Sequence, residues 1–89
     1  MYIYLENSYF IPLNEIVSVV SYEKFIQAED GKEFMENNKN KIIDVAKDAR
    51  KSLVITDKYL YITSYTTKAI YTRGNEFEKI KENLKLKRR

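Results

Sequence analysis

The sequence predicts an α+β fold: a small β-rich domain with an antiparallel or mixed sheet, one short mid-chain helix and a C-terminal helix. Three observations carry this. Short runs of β-branched and aromatic residues recur along the chain, each bounded by polar or turn-forming residues. The polar middle contains Asp30-Gly-Lys-Glu33, which has the spacing of a helix N-terminus. After Ser64 the apolar residues stop alternating and recur at helical intervals.

The elements follow in order. Met1–Leu5 alternates loosely and reads as a strand, and Asn7-Ser8 marks a turn. Tyr9–Ile11 is a short extended segment, and Pro12 keeps it out of a sheet centre because proline has no amide donor. Glu15–Tyr22 is a β-rich run with Ile16 and Val20 in phase. Asp30 is placed to cap a helix of about two turns, anchored by Phe34 and Met35 and ended by Asn37-Asn38-Lys39-Asn40. Lys41–Ala46 reads as another strand, and Asp48-Ala49-Arg50-Lys51 as a polar loop.

Ser52–Thr56 and Tyr59–Ser64 read as a hairpin turning at Asp57-Lys58. That turn sets Ile55 opposite Leu60, Val54 opposite Tyr61 and Leu53 opposite Ile62. One face then holds Leu53, Ile55, Leu60 and Ile62, which suits a core. The other holds Ser52, Val54, Thr56, Tyr59, Tyr61 and Thr63. A small protein seldom leaves such a face bare, so Val54, Tyr59 and Tyr61 are the candidate oligomer contacts. Thr66–Arg73 reads as a short helix stopped by Gly74. Asn75–Glu78 resembles a capping box, and Phe77, Ile80 and Leu84 form one apolar stripe beyond it. The division is a core domain over residues 1–73 and a basic amphipathic helix or tail over 74–89. The core candidates are Ile3, Leu5, Ile16, Val19, Ile43, Leu53, Ile55, Leu60, Ile62 and Ile70.

Composition removes several function classes. Eighty-nine residues make one modest core, with little chain left to wall off a deep catalytic pocket. There is no Cys and no His, so thiolate chemistry, disulfides and the commonest general base and metal ligand are missing. Two glycines cannot build a phosphate-cradling loop. Lys51-Ser52 could formally pair a nucleophile with a base, but adjacent strand residues point to opposite faces. The expectation is a non-enzyme without metal or cofactor and without a small-molecule substrate. No apolar run approaches the ~20 residues of a membrane helix. The opening Met-Tyr-Ile-Tyr-Leu-Glu lacks the basic start of a signal peptide, so the expected location is the cytoplasm.

The net charge of +3 is unevenly spread. Residues 1–22 hold only Glu6 and Glu15, residues 23–50 nearly balance, and residues 51–89 hold ten bases against four acids. A basic half suits a polyanion partner. Tyr59, Tyr61 and Tyr65 accompany Arg50, Lys51, Lys58, Lys68 and Arg73, a mixture that suits a phosphate backbone with tyrosines adding hydrogen bonds or stacking.

Met1-Tyr-Ile-x-Leu, Ile16-Val17-x-Val19 before a polar insert, Lys51-Ser-x-Val54-x-Thr56 and the Tyr-Ile-Thr-Ser strand end occur in that order over residues 1–73. In this the chain resembles the small bacterial extracellular-matrix regulatory proteins, the RemA/RemB family, and is nearer the RemB type. The resemblance implies a β-rich protomer assembling into a dimer or ring, and bacterial transcription regulation of biofilm and matrix genes by DNA binding. It places the family's basic loop on Arg50 and Lys51. It also sets Glu15 where RemA-like members carry a base.

The expected function is therefore that of an oligomeric, cytoplasmic DNA-binding regulator gripping double-stranded DNA by its phosphates. Arg50, Lys51, Lys68 and Arg73 are the expected contacts, supplemented by Lys85, Lys87, Arg88 and Arg89. The alternative is a non-enzymatic protein-interaction module acting through the Tyr-rich strand face or the C-terminal helix. Association of that helix with an acidic membrane surface ranks third, because its apolar stripe is narrow.

Overall fold

The computed structural model describes residues 2–72. The helix expected over 75–89 lies outside them, as do Arg73, Lys85, Lys87, Arg88 and Arg89. The chain opens with a two-stranded antiparallel ribbon, β1 (Tyr2–Tyr4) and β2 (Phe10–Pro12), in which Ile3 faces Ile11 and Tyr4 faces Phe10. Asn7 and Ser8 turn it, both at positive φ (61° and 63°), where a short polar side chain is better tolerated than a branched one.

β3 (Ile16–Ser21) follows, with a register shift between Ile16 and Ser18 that leaves Val17 exposed. The strand expected to reach Tyr22 stops one residue short. Ser21 accepts a hydrogen bond from the Lys24 amide (3.4 Å) and starts a helix absent from the sequence reading, α1 (Tyr22–Gln27). The mid-chain helix, α2, spans Glu29–Asn37. Asp30 is not its cap. Ala28 holds that position without a side-chain bond, and Asp30 lies in the first turn with Glu29, where a carboxylate favours the helix dipole. The asparagine run ends α2 as expected: the Asn38 side-chain amide donates to the Phe34 carbonyl (2.8 Å). Gly31 is buried where α2 meets the end of α1, and a Cβ there would overlap the Phe25 carbonyl oxygen.

β4 (Ile42–Asp44), β5 (Ser52–Thr56) and β6 (Leu60–Thr63) complete a mixed four-stranded sheet of order β3-β5-β6-β4. The hairpin register is the one the Asp57-Lys58 turn demands: Leu53 faces Ile62, Val54 faces Tyr61 and Ile55 faces Leu60. Thr56 closes it by accepting from the Tyr59 amide and donating to the Tyr59 carbonyl (2.9 and 2.8 Å). β4 runs parallel to β6, and the loop between β4 and β5 returns the chain to the far side of the hairpin. A third helix, α3, begins at Thr67 and is described through residue 72. Thr66 caps it, its hydroxyl accepting from the Ala69 amide (3.1 Å).

The sheet is covered on both faces. On one, Leu53, Leu60 and Ile62 pack with Val20, Phe25, Met35 and Ile55, beneath α1 and α2. On the other, Val19 and Val54 pack with Ile3, Leu5 and Ile11 of the ribbon segment, Val45 and Ile70. Each fully buried aliphatic side chain contributes about 1.5–3 kcal/mol. Most of the expected core is buried, but Ile16, Ile43 and Ile55 are only partly so, and Ile11, Val45 and Val54 join it unforeseen.

Candidate nucleic-acid interface

The end of the sheet opposite the Asp57-Lys58 turn gathers three chain segments. The Lys51 amide donates to the Thr63 carbonyl (2.9 Å), and its own carbonyl accepts from the Tyr22 amide (3.1 Å). The β4–β5 loop, the start of α1 and the segment leading to α3 therefore meet here. The loop is fixed by Asp44. Its Oδ1 accepts from the Ala46 and Lys47 amides (3.1 and 3.0 Å), and Oδ2 accepts from Arg50 Nε and Nη2 (2.8 Å each).

This geometry separates the two loop bases. Arg50 is held in a forked pair with Asp44, which raises its pKa further above the ordinary guanidinium value through that hydrogen bond and charge. Part of its donor fork is already used. Lys51 is exposed and has no ion pair among the described residues. Lys68, on α3, is likewise exposed. At the other end of the sheet, Lys58 Nζ lies 3.7 Å from Glu15 Oε1, so Glu15 has a neighbouring cation. Both partners reach solvent, and such a pair contributes little.

Glu6, which the sequence does not mark as a site residue, is a second heavily engaged carboxylate of this end. Its oxygens accept from the Thr63 hydroxyl (2.5 Å), the Ser64 amide (2.6 Å) and the Ser64 hydroxyl. Burial works to raise its pKa, but the bonds from Ser64 and Thr63 outweigh it and hold the carboxyl below its ordinary value. The one available signal was a lone acid in a stretch otherwise free of charge. Its partners stand 57 and 58 residues away.

The expected oligomer contacts separate as well. Val54 is 1% exposed, so its place in the candidate interface is corrected: the chain's own ribbon covers that side of the hairpin. Tyr61 is half-buried between Tyr9 and Tyr59, with ring centroids 6.0 Å from each. Burial, then the neighbouring Tyr59, Glu15 and Tyr9, push its phenol pKa up. Tyr59 remains exposed.

A groove of about 450 Å³ runs between β3, α1 and α3, lined mainly by Val19, Val20, Phe25, Ala28 and Tyr71, with Lys24 the charged member. Tyr71 donates from its hydroxyl to the Val19 carbonyl (3.4 Å). Ser52 is fully buried, which closes its hydroxyl to any substrate. Among the described residues no acidic cluster could hold a metal ion, and no helix is long and apolar enough to cross a membrane. No protein-family model and no curated protein sequence matches this chain.

Proposed function

We propose that this protein is a non-enzymatic, oligomeric DNA-binding regulator that holds the phosphate backbone of duplex DNA. The observation that carries the reading is the separation of charge. Residues 2–72 hold nine bases against ten acids, whereas residues 73–89 hold seven bases against three acids. A nearly neutral folded core thus precedes a strongly basic segment. Lys51 and Lys68 extend that positive character onto the folded part, and repeated copies of weak phosphate contacts provide avidity. Arg50 contributes less than its charge implies, because Asp44 already neutralises it. Control of biofilm-matrix genes in the bacterial cytoplasm rests on the RemA/RemB resemblance alone.

The test is fluorescence anisotropy with duplex DNA of ordinary sequence at about 50 and about 200 mM salt. Binding through six or more phosphate contacts loses roughly a thousandfold or more over that range. Lys51→Ala and Lys68→Ala should each lower the salt slope by about one, and Arg50→Ala by less. Affinity indifferent to salt, or no binding at the lower salt, overturns the reading. A protein-interaction module is the second reading, favoured by the exposed rings of Tyr2, Tyr4 and Phe10 outside the ribbon. Binding of a protein partner that survives loss of residues 75–89 and of DNA affinity would support it.

A further inference from the structure

We propose that the groove between β3, α1 and α3 is the docking site of this chain's own C-terminal segment, with Phe77, Ile80 and Leu84 seated in it. Such docking requires no DNA.

The groove, of about 450 Å³, is mostly apolar. Val20 and Phe25 are only half-buried there, and Ala28 and Tyr71 are exposed. α3 supplies one wall through Thr67 and Tyr71. Tyr71 is held by its hydroxyl bond to the Val19 carbonyl (3.4 Å). Its ring therefore stands at the groove before any occupant arrives, which lowers the cost of binding.

Position selects the occupant. The described residues end at Thr72, one beyond Tyr71, so the segment that follows starts at the edge of the groove. Gly74 comes two residues later and can take the left-handed backbone that reverses a chain. Phe77, Ile80 and Leu84 then recur at i, i+3 and i+7. At helical rise that apolar stripe is about 10 Å long. A tether this short holds it at an effective concentration in the millimolar range. A separate molecule must reach that concentration to compete.

Charge agrees. Residues 23–30, which border the groove along α1 and the start of α2, hold Glu23, Glu29 and Asp30 against Lys24, all exposed. Residues 73–89 hold seven bases against three acids. Exposed pairs contribute little, so they orient the segment while the apolar stripe holds it. The same acids disfavour a nucleic-acid occupant.

The chain contains no Trp, so Phe77→Trp introduces a single indole whose emission reports its surroundings. In the full chain that emission should lie to the blue of the same protein in urea, with acrylamide quenching strongly reduced. Neither should change with protein concentration. Ala28→Lys or Ile80→Asp, added to that protein and checked for folding by thermal melting, should shift the emission to the red and restore quenching. Should Ala28→Lys fail to fold, Thr67→Lys on the opposite wall decides. Emission as red as in urea overturns the proposal. So does blue emission that a folded Ala28→Lys or Thr67→Lys protein retains, which would place the segment elsewhere. Blue emission that appears only as concentration rises also overturns it, by placing the segment on a second copy. None of these readouts involves DNA, so their failure leaves the DNA reading standing, and loss of that reading leaves the docking intact.

Discussion

Replacing Glu6 by Gln keeps the shape of the side chain and removes its charge, isolating what the carboxylate does for the fold. Three donors converge on it: the Thr63 hydroxyl, the Ser64 amide and the Ser64 hydroxyl. A hydrogen bond to a charged group contributes about 1.5–3 kcal/mol, but three bonds to one half-exposed acceptor do not sum, and Gln retains part of the set. A loss of about 2 kcal/mol follows. In a domain of this size that lowers the melting temperature by roughly 8–16 °C. The pH dependence has a definite sign. The folded carboxyl lies below its ordinary value of 4.5. Its contribution is therefore complete above that value and fades as pH falls through the lower folded pKa. Urea unfolding of both proteins at about pH 7 and about pH 3 should show a clear gap that narrows in acid. A gap below ~0.5 kcal/mol at neutral pH, or one that persists unchanged in acid, would refute the reasoning.

Two further substitutions test the packing. Gly31→Ala should cost about 1–3 kcal/mol in the same urea assay, because the added carbon meets the Phe25 backbone. Its sign is diagnostic, since the same change in an open helix interior stabilises by about 0.5–1 kcal/mol. Ser52→Ala should be neutral or stabilising by up to ~1 kcal/mol, because the buried Ser52 hydroxyl has no hydrogen-bond partner. A loss above that size would mean the hydroxyl is bonded.

How much of the fold was legible depended on the range of the deciding interaction. The β5–β6 hairpin came through in register because alternation and a two-residue turn are local signals. α1 did not, because its six residues follow a β-rich run without a break, and Ser21 caps it with no acidic residue three positions on to announce a start. That β4 lies parallel beside β6 is decided by where this short strand finds a free edge, not by Ile42–Asp44 themselves. The same holds for the site. Arg50 was identified as a base, but its capture by Asp44 depends on the folding of the intervening loop. The second hairpin face was expected to meet another subunit through Val54, Tyr59 and Tyr61, and Val54 is instead buried within the chain. Its cover proved to be the chain's own first strands, whose destination no local pattern encodes.

The order of strands in the sheet has a consequence for the chain as it is made. β3 pairs only with β5, and β4 only with β6. Both precede their partners in the chain. Until residues 52–63 have been synthesised, the N-terminal ribbon, β3, the two helices and β4 have no sheet on which to assemble. The hairpin that joins both faces is thus synthesised late, and the apolar side chains ahead of it that pack on it have no sheet to cover them until then.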